Sequence, residues 1–67
     1  MPYQKLADLP DSVRSHLPHH AQEIFRATFN NALEEYGEEE RAFRVAWAAV
    51  KRDYDKGEDG DWHKKPD

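Results

Sequence analysis

Four groups of side chains in this sequence of 67 residues have the types and spacing to do chemistry. His16, His19 and His20 surround Pro18, and Glu23 follows His19 by one helical turn. Two histidines at i and i+4 on one helix face can chelate a metal. His16 and His20 have that spacing, but Leu17-Pro18 is expected to break the helix between them. His19 and Glu23 supply only two ligands, and the His-Glu-x-x-His arrangement of metalloproteases is absent. The group reads as polar side chains at a helix junction. His20 is available as a structural hydrogen bonder, since an imidazole can donate and accept at once.

The second group is acidic: Asp53, Asp55, Glu58, Asp59 and Asp61. A calcium loop of the EF-hand kind needs oxygen ligands at alternate positions, Gly at the sixth and a bidentate Glu at the twelfth. Counting from Asp55, Gly60 is sixth, but Gly57 is third and Pro66 twelfth. Two ligand positions fail, which leaves a solvated acidic turn with at most weak cation association. No metal site and no cofactor are assigned.

The third group is basic. Arg41, Arg44, Lys51 and Arg52 fall on one side of a predicted helix in a chain of net charge −4. Cations segregated in this way can meet an acidic partner or phosphates. They can also be the solvated side of an amphipathic helix, with Glu40 and Arg44 as a supporting i, i+4 pair. Among all the candidates this face is the best binding surface, and Arg41, Arg44, Lys51 and Arg52 are taken as the partner-binding residues. The fourth group is aromatic. Trp47 lies among alanines and reads as core. Trp62 lies next to His63, Lys64 and Lys65. It either docks on its own domain, which is the favoured reading, or anchors a partner, as tryptophans do at binding hot spots.

Nothing in the sequence assembles a catalytic set. There is no Ser-His-Asp or Cys-His motif and no Gly-rich phosphate loop. A helical unit of this size leaves little room for a ligand pocket. No catalytic residue is assigned, and the chain is expected not to be an enzyme.

Composition sets the frame for these side chains. There is no cysteine, so disulfides and thiolate zinc sites are excluded. Hydrophobic residues make up 37% and charged residues 36%, so folding depends on how the apolar residues are arranged. Eight aromatics can fill a small core. No apolar run is long enough to span a bilayer, and residues 1–6 do not read as a secretory signal. Direct membrane insertion is not expected, and the expected location is cytoplasmic. The net charge argues against strong generic attraction to nucleic acid.

The elements follow from proline, glycine and periodicity. Residues 1–8 read as an extended lead-in. Leu9, Val13 and Leu17 form one short apolar stripe, opened by Pro10 and followed by Pro18; both prolines read as helix starters. A second helix is expected from about 18 to 36, stopped by Gly37. At about 100° per residue, Ala21, Ile24, Phe25, Thr28, Phe29, Ala32, Leu33 and Tyr36 share its inner half. A third is expected from about 38 to 56, stopped by Gly57, with Glu38, Glu39 and Glu40 at its positive end and Lys51, Arg52 and Lys56 near its negative end. Its inner arc carries Ala42, Phe43, Val45, Ala46, Trp47, Ala49, Val50 and Tyr54. One glycine between two long helices predicts an antiparallel hairpin or a sharp corner. Tyr3 and Trp62 suggest a two-stranded pairing of the N- and C-terminal segments. The fold class is therefore mainly α: one short and two longer helices with a small two-stranded sheet.

The motifs also resemble a known family. Met1-Pro2-Tyr3, Asp8-Leu9-Pro10, Leu17-Pro18-x-His20-Ala21-Gln22, Val45-Ala46-Trp47-Ala48-Ala49-Val50-Lys51, Tyr54 with Lys56-Gly57, and Trp62-His63-Lys64-Lys65 together resemble ChaB, a small bacterial family assigned to the regulation of cation transport. The resemblance runs in order through nearly the whole chain. A bacterial ChaB sequence carries a longer charged segment between the second and third helices, trimmed here to Tyr36-Gly37-Glu38-Glu39-Glu40. The resemblance implies a compact helical fold with a small sheet, residues 1–67 forming one ChaB-like domain with a polar tail at 57–67. It also implies a role beside a sodium/calcium–proton antiporter, and it transfers no catalytic or binding residue.

The expected function is thus a small interaction module that regulates a cation antiporter by protein–protein binding. One alternative is a nucleic-acid-associated module using the basic face of the third helix. Another is a weak cation sensor using the acidic tail.

Overall fold

Pro10 and Pro18 set where the helices begin. Each is extended, with ψ of 149° and 162°, and stands one residue before a helix. Their carbonyls accept the first helical hydrogen bonds, from Arg14 N–H at 3.0 Å and Gln22 N–H at 3.0 Å. The prolines are therefore caps that precede the helices, not first helical residues. The computed structural model describes residues 2–66, so Met1 of the lead-in and Asp67 of the tail lie outside the described residues. Its elements are a single 3-10 turn at Leu6–Asp8, then α1 (Asp11–Arg14), α2 (His19–Tyr36), α3 (Glu39–Asp53), β1 (Tyr54–Lys56) and β2 (Trp62–Lys64). The 3-10 turn interrupts the lead-in that was expected to be extended; Leu9 N–H closes it on the Leu6 carbonyl at 3.1 Å.

Gly37 ends α2 at φ 73°, where its N–H bonds the Leu33 carbonyl at 2.8 Å. A left-handed residue at this position reverses the chain, and glycine takes that conformation without a Cβ penalty. The ring pairs fix the direction of α3. Phe29 meets Phe43 and Phe25 meets Trp47, so α3 runs back along α2 as an antiparallel hairpin.

Ala21, Phe25, Phe29 and Ala32 of α2 are buried against Ala42, Ala46 and Val50 of α3. Leu9, Val13 and Leu17 close the core from the side of α1. The alanines let the two helix backbones approach, and the large rings fill the space on either side. Tyr36 departs from the expected inner face. It is 42% exposed, with the Arg41 guanidinium 4.0 Å above its ring, an arrangement that favours a cation over the π face.

The C-terminal boundary of α3 and the strand pairing both differ from expectation. The helix stops at Asp53, because Tyr54 turns extended and is buried while Asp55 and Lys56 face solvent. Residues 54–56 pair antiparallel with 62–64, Tyr54 opposite Lys64 and Lys56 opposite Trp62. The small sheet is thus a local C-terminal hairpin and does not join the two termini. Closing a short loop costs less chain entropy than bringing the ends of the chain together. The N-terminal segment is held by a side chain instead. Asn30 accepts from Tyr3 N–H and donates to the Tyr3 carbonyl, both at 2.8 Å, which supplies the two bonds a neighbouring strand would make. Tyr3 then packs its ring on Phe29 at 4.8 Å, and burial followed by the charge of Glu39 raises its hydroxyl pKa.

Candidate functional site

The periodicity of α3 buries one face in the hairpin and leaves Phe43 and Trp47 only half-buried at its edge. Their inner sides touch Phe25 and Phe29. Their outer sides, with Ala48, line an open groove of about 690 Å³ that is mainly apolar. Glu39 and Glu40 stand at one end, Arg44 at the middle and Lys51 at the other end. The small size of the chain led us to expect little room for a pocket. The groove is a surface feature along one helix, which is how so short a chain accommodates it.

The four cations expected on this face fall into two rows. Arg44 and Lys51 line the groove. Arg41 and Arg52 lie on the adjoining strip, about 60–100° further around the helix by its periodicity. Arg41 is engaged on Tyr36. Among the described residues, Arg44, Lys51 and Arg52 have no carboxylate within 4.0 Å, and the expected Glu40–Arg44 pair is not formed. These cations are therefore solvated and available to a ligand at little cost.

The histidines do not assemble. His19 and His20 are exposed beside Glu23, at 3.9 and 3.5 Å from its carboxylate. His16 turns away from them towards the hairpin. Its Nδ1 lies 3.1 Å from Asp61 Oδ1 and its carbonyl accepts from Trp62 N–H at 2.9 Å. Among the described residues no three metal-ligating side chains come together.

The acidic tail is largely consumed by its own turn. Asp59 Oδ1 accepts from Asp61 N–H at 3.0 Å, and the Asp59 carboxylate meets His63 Nε2 at 3.1 and 3.2 Å. The Asp61 amide, and next the His63 ring, hold the Asp59 carboxyl below its usual range. Asp55 lies 3.7 Å from Lys65 Nζ. Trp62 places its ring 5.5 Å from that of Trp47, so the hairpin touches the helical core beside one end of the groove. Asn30 and Gln22 were not singled out as organising residues. Gln22 Nε2 donates to the Leu17 carbonyl at 2.8 Å, bracing the α1–α2 corner. For Gln22 the available signal was a polar residue on an otherwise apolar edge of the helix, between Phe29 and Leu33; Asn30 falls by its spacing on the outer half among His19, Glu23 and Arg26, which gave none.

The fold and this surface together define a class: a small helical hairpin, sealed by a short N-terminal helix and a C-terminal β-hairpin, with an open charged and apolar strip on its last helix. The chain belongs to the ChaB family, whose pattern matches residues 9–65. It is 48% identical, over 97% of its length and 99% of theirs, to proteins of Escherichia coli K12 and Shigella flexneri that carry the name "Putative cation transport regulator ChaB". The alignment runs over 75 positions, more than this chain possesses, so those relatives carry residues that it lacks. A solution structure of ChaB matches with a TM-score of 0.88 at 47% identity, over 97% of this chain and all of that one. Among the described residues no helix is long and apolar enough to cross a membrane.

Proposed function

We propose that this protein regulates cation transport by binding a protein partner across the outer face of α3, and that the partner is the cytoplasmic side of a sodium/calcium–proton antiporter. The transport role follows the name carried by its ChaB relatives. The binding face rests on one observation. Among the described residues, Arg44 and Lys51 have no ion pair, and they stand beside half-buried Phe43 and Trp47 in an open groove. An apolar strip with unpaired cations fits a partner segment that alternates apolar and acidic residues. Arg41 and Arg52 extend the cationic rim. Regulation then requires tighter binding to one conformation of the transporter than to another.

The test is capture of the antiporter in inverted membrane vesicles, together with transport measured in the same vesicles. Wild-type protein is expected to bind and to change the transport rate. Arg44→Glu with Lys51→Glu is expected to abolish both effects while leaving the circular dichroism spectrum and Tm in place, because both side chains are exposed. Absence of wild-type binding with transport unchanged would overturn the proposal. So would retention on duplex DNA that falls steeply with salt, which is the mark of phosphate binding.

A further inference from the structure

The groove on α3 has a property that binding to an unrelated partner does not require: it complements itself. Glu40 lies at its acidic end and Lys51 at its basic end, with Phe43, Arg44, Trp47 and Ala48 between them. Turn a second copy of α3 antiparallel about a two-fold axis level with the Val45–Ala46 peptide. Glu40 then faces Lys51 of the second copy, and Lys51 faces its Glu40. Phe43 and Ala48 fall on opposite edges of this seam, so the Phe43 rings of the two copies come together on one edge and the two Ala48 side chains on the other. Arg44 faces Trp47, a guanidinium against an indole, the most favourable partner for a cation over a ring. The same set of residues serves on both sides, which is what an isologous interface demands.

We propose that a second copy of this chain docks in the α3 groove in this register. The proposal goes beyond the transporter reading and shares its surface, so self-association and partner binding exclude each other. Docking leaves Arg41 and Arg52 of both copies outside the contact. Each copy contributes only one face of a 15-residue helix, a small contact beside the roughly 1,200–2,000 Å² of stable interfaces. The dimer is therefore weak and in rapid exchange, formed at high local concentration and displaced by a tighter partner.

The experiment uses the full chain in sedimentation equilibrium and in NMR diffusion from micromolar to millimolar concentration. Wild type is expected to pass from monomer towards dimer, with shifts centred on Phe43, Trp47 and Ala48. Glu40→Lys alone places lysine against lysine, and Lys51→Glu alone places glutamate against glutamate; each is expected to remain monomeric. An equimolar mixture of the two variants restores both opposite-charge contacts and is expected to associate at least as well as wild type. Ala48→Arg sets two arginines side by side on the Ala48 edge and is expected to stay monomeric without loss of Tm, because Ala48 is exposed. A wild type that is monomeric to millimolar concentration would overturn the proposal, as would a mixture no more associated than its components. No transporter is present in this assay, so its failure leaves the transporter reading standing, and failed capture in vesicles leaves the dimer standing.

Discussion

Asp59 shows what one carboxylate does in this molecule. Its position in a run of acids suggests a ligand for cations, yet its oxygens are spent on the Asp61 amide and the His63 ring. Both partners favour the ionised form and lower its pKa in the folded chain from 3.8. A lowered folded pKa means that the contribution is fully present above the unfolded value and is lost as pH falls through the folded one. The turn should therefore persist when pH reaches 3.8 and open only below it. NMR titration of the His63 ring and the Asp61 amide reads this directly. A midpoint at or above 3.8 would contradict it, and Asp59→Asn should remove the transition. Which residues carry charge was legible in the sequence. Which of them are already paired was not, because the Asp59 contacts depend on a hairpin whose register no local pattern announces. Asn30 is the converse case: its spacing placed it on the outer half of α2, and only the path of the N-terminal segment turns it into a clamp on Tyr3.

The elements were legible where a residue type constrains the backbone and illegible where pairing decides. Pro10, Pro18 and Gly37 marked the corners because proline fixes φ and glycine accepts the left-handed region. Residues 54–56 continue the helical apolar arc through Tyr54, so periodicity alone carried α3 onward to Gly57. The strand wins because Tyr54 can be buried in either geometry, and only the extended one also gives 54–56 a hydrogen-bonded partner in 62–64. Two glycines then have different jobs, and alanine separates them. At Gly37 no atom lies within 4 Å of an added Cβ, so Gly37→Ala is penalised only by its φ of 73°. The cost is about 1–2 kcal/mol by the left-handed penalty, read as a lowered Tm with the hairpin contacts intact. At Gly57 an added Cβ would meet the His63 ring at 2.8 Å and Asp59 Oδ1 at 2.9 Å. Gly57→Ala should therefore displace His63 and abolish its contact with Asp59 while the helices persist. Equal behaviour of the two variants, in Tm and in the His63 resonances, would refute this division of labour.

At the scale of the whole molecule a chain of rings spans the core: Tyr3 on Phe29, Phe29 on Phe43, Phe25 against Trp47, and Trp47 against Trp62. The three-helix core was legible because helical periodicity sorts inner from outer residues. The groove was not, because a half-buried ring reads in sequence like a buried one. Phe25 is the hub: fully buried, with ring contacts to Phe29, Phe43 and Trp47. Deleting such a ring costs about 3–5 kcal/mol, the lost transfer energy plus the cavity left behind. A single core in a chain this short supplies about 3–5 kcal/mol in total. The two magnitudes are equal, so Phe25→Ala should bring the net stability to about zero at 25 °C, leaving a large share of the molecules unfolded. Phe25→Leu keeps most of the volume and should fold with a lowered Tm. Tyr36→Ala removes a ring that is 42% exposed together with its contact to Arg41, and should cost only about 0.5–1 kcal/mol. Urea unfolding of the three variants, followed by tryptophan fluorescence and circular dichroism together, ranks them. A Phe25→Ala protein that still unfolds cooperatively, near the wild-type midpoint, would show that stability is spread along the ring chain and not concentrated at its hub.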